Sequence, residues 1–150
     1  MVRKNSAKAA LVSAAAMAIA MIPLAGTSYA AGCSGSGCDN KGPVTYGCDG
    51  SVSTMRTIDS HSRVAQLRWS HDCVAGWVRV TNNADPSQYS SYATIEKYNA
   101  AGTLLKSLRV DTPSTGKSDW SNMLGGSQYY YRVCIKFHAD LYPLKCSTKW

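Results

Sequence analysis

The most sustained pattern in the chain is alternation. In "SVSTMRTI", residues 51–58, Val52, Thr54, Arg56 and Ile58 alternate with Ser51, Ser53, Met55 and Thr57. "RVAQLRWS" sets Val64, Gln66 and Arg68 against Ala65, Leu67 and Trp69, and "GWVRVTN" sets Trp77 and Arg79 against Val78 and Val80. Successive side chains of a strand point to opposite faces, so a period of two in β-branched and aromatic residues predicts strands. "SYATIEKYNAAGTLLKSLRV" predicts two more, joined at 99–102, where Asn99 and Gly102 tolerate a tight turn. "SQYYYRVCIKF" and "YPLKCSTKW" complete the set. After residue 30 no stretch carries apolar residues at three- and four-residue spacing over ten positions, and one helical turn at "DWSNML", 119–124, is the only helix predicted there. Roughly seven short strands with turns between them predict an all-β, monomeric domain over 44–150, a small sandwich or barrel.

Two stretches lie outside this pattern. In 1–30, Arg3, Lys4 and Lys8 precede an apolar run over 9–24, and Ser28-Tyr29-Ala30 has the small-residue form of a cleavage site. That order predicts a signal peptide removed after Ala30, hence a secreted protein with no membrane span in its mature form. The second stretch, 31–43, is rich in glycine and serine and has few apolar residues besides two cysteines. Its composition predicts a mobile tail that forms neither strand nor helix, so the β domain is expected to fold without it.

Cys33, Cys38, Cys48, Cys73, Cys134 and Cys146 all follow the cleavage site. An even set in an exported chain predicts three disulfides. Neighbourhood in the predicted strands favours Cys48–Cys73 and Cys134–Cys146, leaving Cys33–Cys38 to close the Ser-Gly loop, with Cys38–Cys48 as the alternative for that segment. The first two are expected to staple the fold, and the third to restrain the tail alone. A zinc site is not expected, because no C-x-x-C occurs and His71 with Cys73 lacks a second ligand pair. No cofactor is implied.

Of 16 basic residues three lie in the leader, leaving thirteen against nine acidic ones, or +4. They are scattered singly, so a nucleic-acid partner is not expected. Catalytic material is thin too. His61, His71 and His138 sit in predicted turns, Glu96 is the single glutamate, and no nucleophile elbow, H-E-x-x-H or phosphate loop is present. The reading is of a non-enzyme.

The aromatic set is skewed, with 4 Trp and 9 Tyr against 1 Phe. Rings with a polar handle suit interfaces. In Tyr129-Tyr130-Tyr131 one side of the strand must present an exposed ring, and Tyr129 or Tyr131 stacking on polysaccharide is the basis of an alternative reading as a cell-wall or carbohydrate-binding module. The bland reading is that Trp69, Trp77 and Tyr130 fill a core short of Leu and Phe, and Trp77 is expected there.

"CSGSGCDNKGPVTYGC", "AQLRWSHDCVAGWVRV" and "YYYRVCIKF" together resemble the YjfA-like family of small secreted proteins from Streptomyces and relatives, over about 33–137. The block over 67–80 is the most specific part, and Trp69 and Val78 stand where that family more often has Tyr and Ala. Members with the Cys-flanked Ser-Gly tail look like the adaptor subunit of umbrella toxin particles, secreted antibacterial assemblies. The resemblance implies an adaptor whose tail, through Cys33, Ser34, Gly35, Ser36, Gly37, Cys38, Asp39 and Asn40, inserts in a cleft of a lectin subunit of trypsin-like fold. It implies that the β domain rests on the repeats of a large polymorphic toxin. Cyclising the tail lowers the entropy lost on binding, which suits a peptide ligand.

Overall fold

A computed structural model describes residues 31–85, 89–140 and 142–150; the predicted signal peptide over 1–30 lies outside them. After a 3-10 turn at Gly35–Cys38 come nine strands: β1 (Val52–Ser60), β2 (Arg63–Ser70), β3 (Ala75–Asn82), β4 (Ser91–Tyr98), β5 (Leu104–Asp111), β6 (Ser118–Trp120), β7 (Leu124–Gly125), β8 (Tyr130–Phe137) and β9 (Lys145–Cys146). They form two antiparallel sheets, one in the order β1-β2-β3-β6 with β7 also on β3, the other β5-β4-β8-β9. Among the described residues there is no α-helix, and none long and apolar enough to cross a membrane.

The predicted alternation packs the space between the sheets. Ala65, Leu67 and Trp69 of β2 and Val78 and Val80 of β3 meet Ala93 and Ile95 of β4 and Tyr131, Val133, Ile135 and Phe137 of β8. Fully burying one such large side chain contributes about 1.5–3 kcal/mol. The three disulfides pair as expected: Cys33–Cys38, Cys48–Cys73 and Cys134–Cys146. The last joins partners directly opposite each other on β8 and β9.

Three expectations are corrected. The stretch 119–124 makes no helical turn. It lies along β3 as β6 and leads into β7, because β3 would otherwise present a bare edge there. The segment 31–43 is not a free tail. It forms the 3-10 turn and lies on the outer face of β3, where Cys38, Cys48, Cys73, Ala75, Trp77 and Met123 make a second buried cluster. The Cys33–Cys38 bond therefore restrains more than its own loop, since Cys38 is fully buried and the four sulfurs of two disulfides lie within 4.8 Å of one another.

Candidate functional site

The turn is held by backbone groups, which explains how glycine and serine can dock. Gly35, in the left-handed region at φ 53°, donates its N–H to the carbonyl of Cys73 at 2.8 Å. Asn40 donates to the Met123 carbonyl at 2.8 Å, and Met123 returns a bond to the Lys41 carbonyl at 2.9 Å. The approach to β7 is so close that a Cβ on Gly125 would stand 2.0 Å from the Gly35 oxygen. Any side chain at 125 would lift the turn off the sheet.

Beneath the turn lies a charged node. The Asp39 carboxylate accepts the Gly125 N–H at 2.8 Å and faces the Lys97 ammonium at 3.3 Å. Lys97 is only 4% exposed. It also donates to the Gly125 carbonyl at 2.6 Å and to the Ser36 hydroxyl at 3.3 Å, and it sits 4.2 Å from the centre of the Tyr129 ring. A buried ammonium is tolerated only when its donors are matched, and here a carboxylate, a carbonyl, a hydroxyl and a π face match them. Lys106 adds a second, exposed cation 3.8 Å from Asp39.

The opposite side of the turn faces solvent. Ser34 and Gly37 are exposed there. Ser36 and Asn40 are exposed too but turn polar groups inward, the Ser36 hydroxyl to Gly125 and Lys97 and the Asn40 side chain to Asn122. Cys33, Gly35 and Asp39 are half-buried, and Cys38 is buried. A Cβ placed on Gly37 would meet nothing within 4 Å. The structure thus brings together the eight residues singled out in the sequence, as one ordered knob with an inner and an outer side.

Lys97, Gly125 and Met123, which anchor it, were not among the predicted site residues. Lys97 did carry a signal. The alternation of β4 places it on the same face as Ala93 and Ile95, where a lysine needs a partner.

The histidines occupy ordinary local settings. His61 and His71 stand at opposite ends of β2 and His138 follows β8. The His61 ring lies 3.9 Å from that of Tyr142, and His138 borders Tyr92 and Arg109. His71 Nε2 is 2.9 Å from the Ser53 hydroxyl in an exposed pair. Glu96 binds Arg132 at 2.6 Å and accepts the Tyr98 hydroxyl. Burial, with help from Glu96, pushes that hydroxyl up to about 12. The four clustered sulfurs all belong to disulfides and so offer no thiolate to a metal.

Trp77 is a core residue, as expected, and Trp69 is buried with it, each 5% exposed, whereas Tyr130 does not fill the core. The stacking assignment in the triple tyrosine is corrected. Tyr131 is buried with its hydroxyl donating to the Gly126 carbonyl at 2.7 Å, Tyr129 is half-buried, and Tyr130 is the exposed ring at 48%. The register explains it: 131, 133, 135 and 137 point inward, so 130 points out.

Residues 36–130 match the family described as protein of unknown function (DUF2690), and the chain belongs to that family. No curated protein matches its sequence. Among solved structures it is similar to Bacteroides uniformis beta-glucuronidase 2, covalently bound to cyclophellitol-6-carboxylate aziridine, at 21% identity and a TM-score of 0.36. That similarity covers 67% of this chain and 12% of the other, so the chain spans a small part of that enzyme.

Proposed function

We propose that this member of the family is a secreted, non-enzymatic adaptor whose disulfide-locked turn is the preformed ligand for a second protein. The observation that carries the reading is the two-sidedness of the turn. Its inner side is fixed by Asp39, Cys38, the Ser36 hydroxyl and backbone bonds, and its outer side offers Ser34 and Gly37 to solvent. A rigid projection of this kind loses little entropy on docking. The resemblance to the umbrella toxin adaptors supplies the partners of this proposal: a lectin subunit of trypsin-like fold that receives the turn, and the repeats of a large toxin on which the β domain rests. The leader-like first thirty residues and the three disulfides agree with export.

Truncating the segment is a poor test, because it also strips the outer face of β3. Gly37→Arg is a better one, since its side chain would extend into open space from a backbone with no positive φ. In a surface-immobilised titration against the lectin, the variant should bind at least about tenfold more weakly, a loss of roughly 1.4 kcal/mol, with its melting temperature unchanged. Equal affinity in Gly37→Arg and in Ser34→Arg would overturn the reading. His138→Ala, an exposed substitution, should keep full antibacterial activity; loss of activity with lectin binding intact would revive a catalytic reading.

A further inference from the structure

Close to the turn opens a groove of about 620 Å³, within the range of small-molecule sites. Its lining includes Trp69 and Tyr131 from the core, Trp150 and Val74 beside them, and Ser127, Gln128, His71 and Tyr130 toward solvent. We propose that this groove binds a neutral polysaccharide, with pyranose rings stacked on its aromatic faces and hydroxyls bonded to Gln128, Ser127 and His71. The inference does not rest on the adaptor reading.

Three observations carry it. First, the accessible rings of the groove, those of half-buried Trp150 and Tyr129 and exposed Tyr130, rest on a rigid backing of buried Trp69 and Tyr131. Trp150 and Tyr131 exchange backbone hydrogen bonds at 2.8 and 2.9 Å, and the Trp69 ring packs against those of Trp150 and Tyr131 at centroid distances of 4.7 and 5.2 Å. Second, the groove contains backbone strain. Val74 sits at φ 51°, a region that β-branched residues avoid, and it is held there by the neighbouring Cys48–Cys73 bond and by the Gly126 N–H on its carbonyl at 2.9 Å. Strain of this type persists where the surroundings over-determine it, and it gathers at binding sites. Third, among the described residues no lysine, arginine, aspartate or glutamate lines the groove, and Lys97, 4.2 Å from the ring centre of the lining Tyr129, is buried and paired with Asp39. A charged ligand would find no counter-ion there. A sugar needs none: its C–H faces pair with rings and its hydroxyls with amide, imidazole and hydroxyl groups.

Trp69 and Trp150 line the groove, so intrinsic fluorescence reads its occupancy. The purified protein would be titrated with chitotetraose, maltotetraose and an anionic galacturonate oligomer. A saturable change with at least one neutral oligosaccharide and none with the anionic one is expected. Tyr130→Ala and Gln128→Ala should each weaken binding about tenfold without moving the melting temperature. Trp120→Ala, an exposed tryptophan outside the groove, should change nothing. No saturation by either neutral sugar at millimolar concentration would overturn the proposal, as would preference for the anionic oligomer or undiminished binding in Tyr130→Ala. Lectin binding measured in the same variants separates the two sites. If Tyr130→Ala and Gln128→Ala lose the lectin and no sugar binds, the groove is a protein contact and the glycan proposal falls.

Discussion

The core between the sheets is filled by aliphatic and aromatic side chains that arrive at every second residue, whereas the cluster on the outer face of β3 is filled by three cysteines, Met123, Ala75 and Trp77. The first is maintained by area removed from water. The second buries little aliphatic surface and is maintained by cross-links, backbone hydrogen bonds and the Asp39–Lys97 pair. β3 belongs to both, with Val78 and Val80 turned toward one cluster and Ala75 and Trp77 toward the other. The comparison separates an ordinary sandwich from the device that presents the turn, and each can be perturbed without first removing the other.

The largest effect should come from the sandwich. Leu67 is fully buried between the sheets, and Leu67→Ala should cost about 4 kcal/mol by the usual sum of lost transfer and cavity terms. Chemical denaturation checks this, and a loss below about 1 kcal/mol would mean the main core is not where most stability resides.

The charged node should come next. Asp39→Ala leaves the Lys97 ammonium buried with a carbonyl, a hydroxyl and a ring but no carboxylate. Removing one partner of a fully buried pair costs about 3–5 kcal/mol. Here about 2–3 kcal/mol is expected, because Asp39 retains 21% side-chain exposure and Lys97 keeps its other acceptors. Lys97→Met in the same chain should restore most of the loss. If the double variant is as unstable as the single one, the node acts through Asp39 and Gly125 rather than through charge.

These two regions were unequally legible in the sequence. The strands through Leu67, Val78, Ile95 and Val133 follow from period two, since each alternate residue must choose water or the core. The docked turn does not follow from any period. Its contacts are made by the N–H groups of Gly35 and Asn40, which any residue but proline possesses, and by a close approach that needs Gly125 to be bare. Composition therefore read as mobility what is in fact a backbone fit. β6 and β7 were missed for a related reason: three- and two-residue strands are too short to show alternation. Lys97 was within reach, because a lysine in register with Ala93 and Ile95 calls for a buried acid, and Asp39 stood in the one segment without another explanation.

The third perturbation weakens the device while leaving its charges in place. Replacing Cys33 and Cys38 by alanine opens a short loop, for which chain entropy predicts a loss of about 2 kcal/mol. The turn should still dock through Gly35, Asn40 and Asp39, so affinity for the proposed lectin partner should fall less than stability does. Hydrogen exchange at the amides of Gly35 and Asn40 would report the docking directly. Exchange as fast as in an unfolded peptide would show that the disulfide alone holds the turn.

The smallest effect links the two regions. Burial first, and the nearby Asp39 and Tyr129 second, raise the Tyr131 hydroxyl well above its ordinary value, while Tyr98 is raised to about 12. An acid whose folded value is raised favours the fold in its neutral form. Its contribution is complete below the unfolded value of about 10 and is lost as pH climbs from there through the folded value. Stability should therefore be insensitive to these two tyrosines up to about pH 10 and decline above it, followed by denaturation at each pH. Absorbance at the tyrosinate band gives the second measurement. In Asp39→Asn the acidic shoulder of the Tyr131 titration should move to lower pH, because a negative neighbour no longer opposes ionisation. The Tyr98 titration should stay where it is, since its neighbours are Glu96 and Arg132. An unmoved Tyr131 would mean that the charge under the turn is not felt in the sandwich, and that the two clusters share β3 without sharing electrostatics.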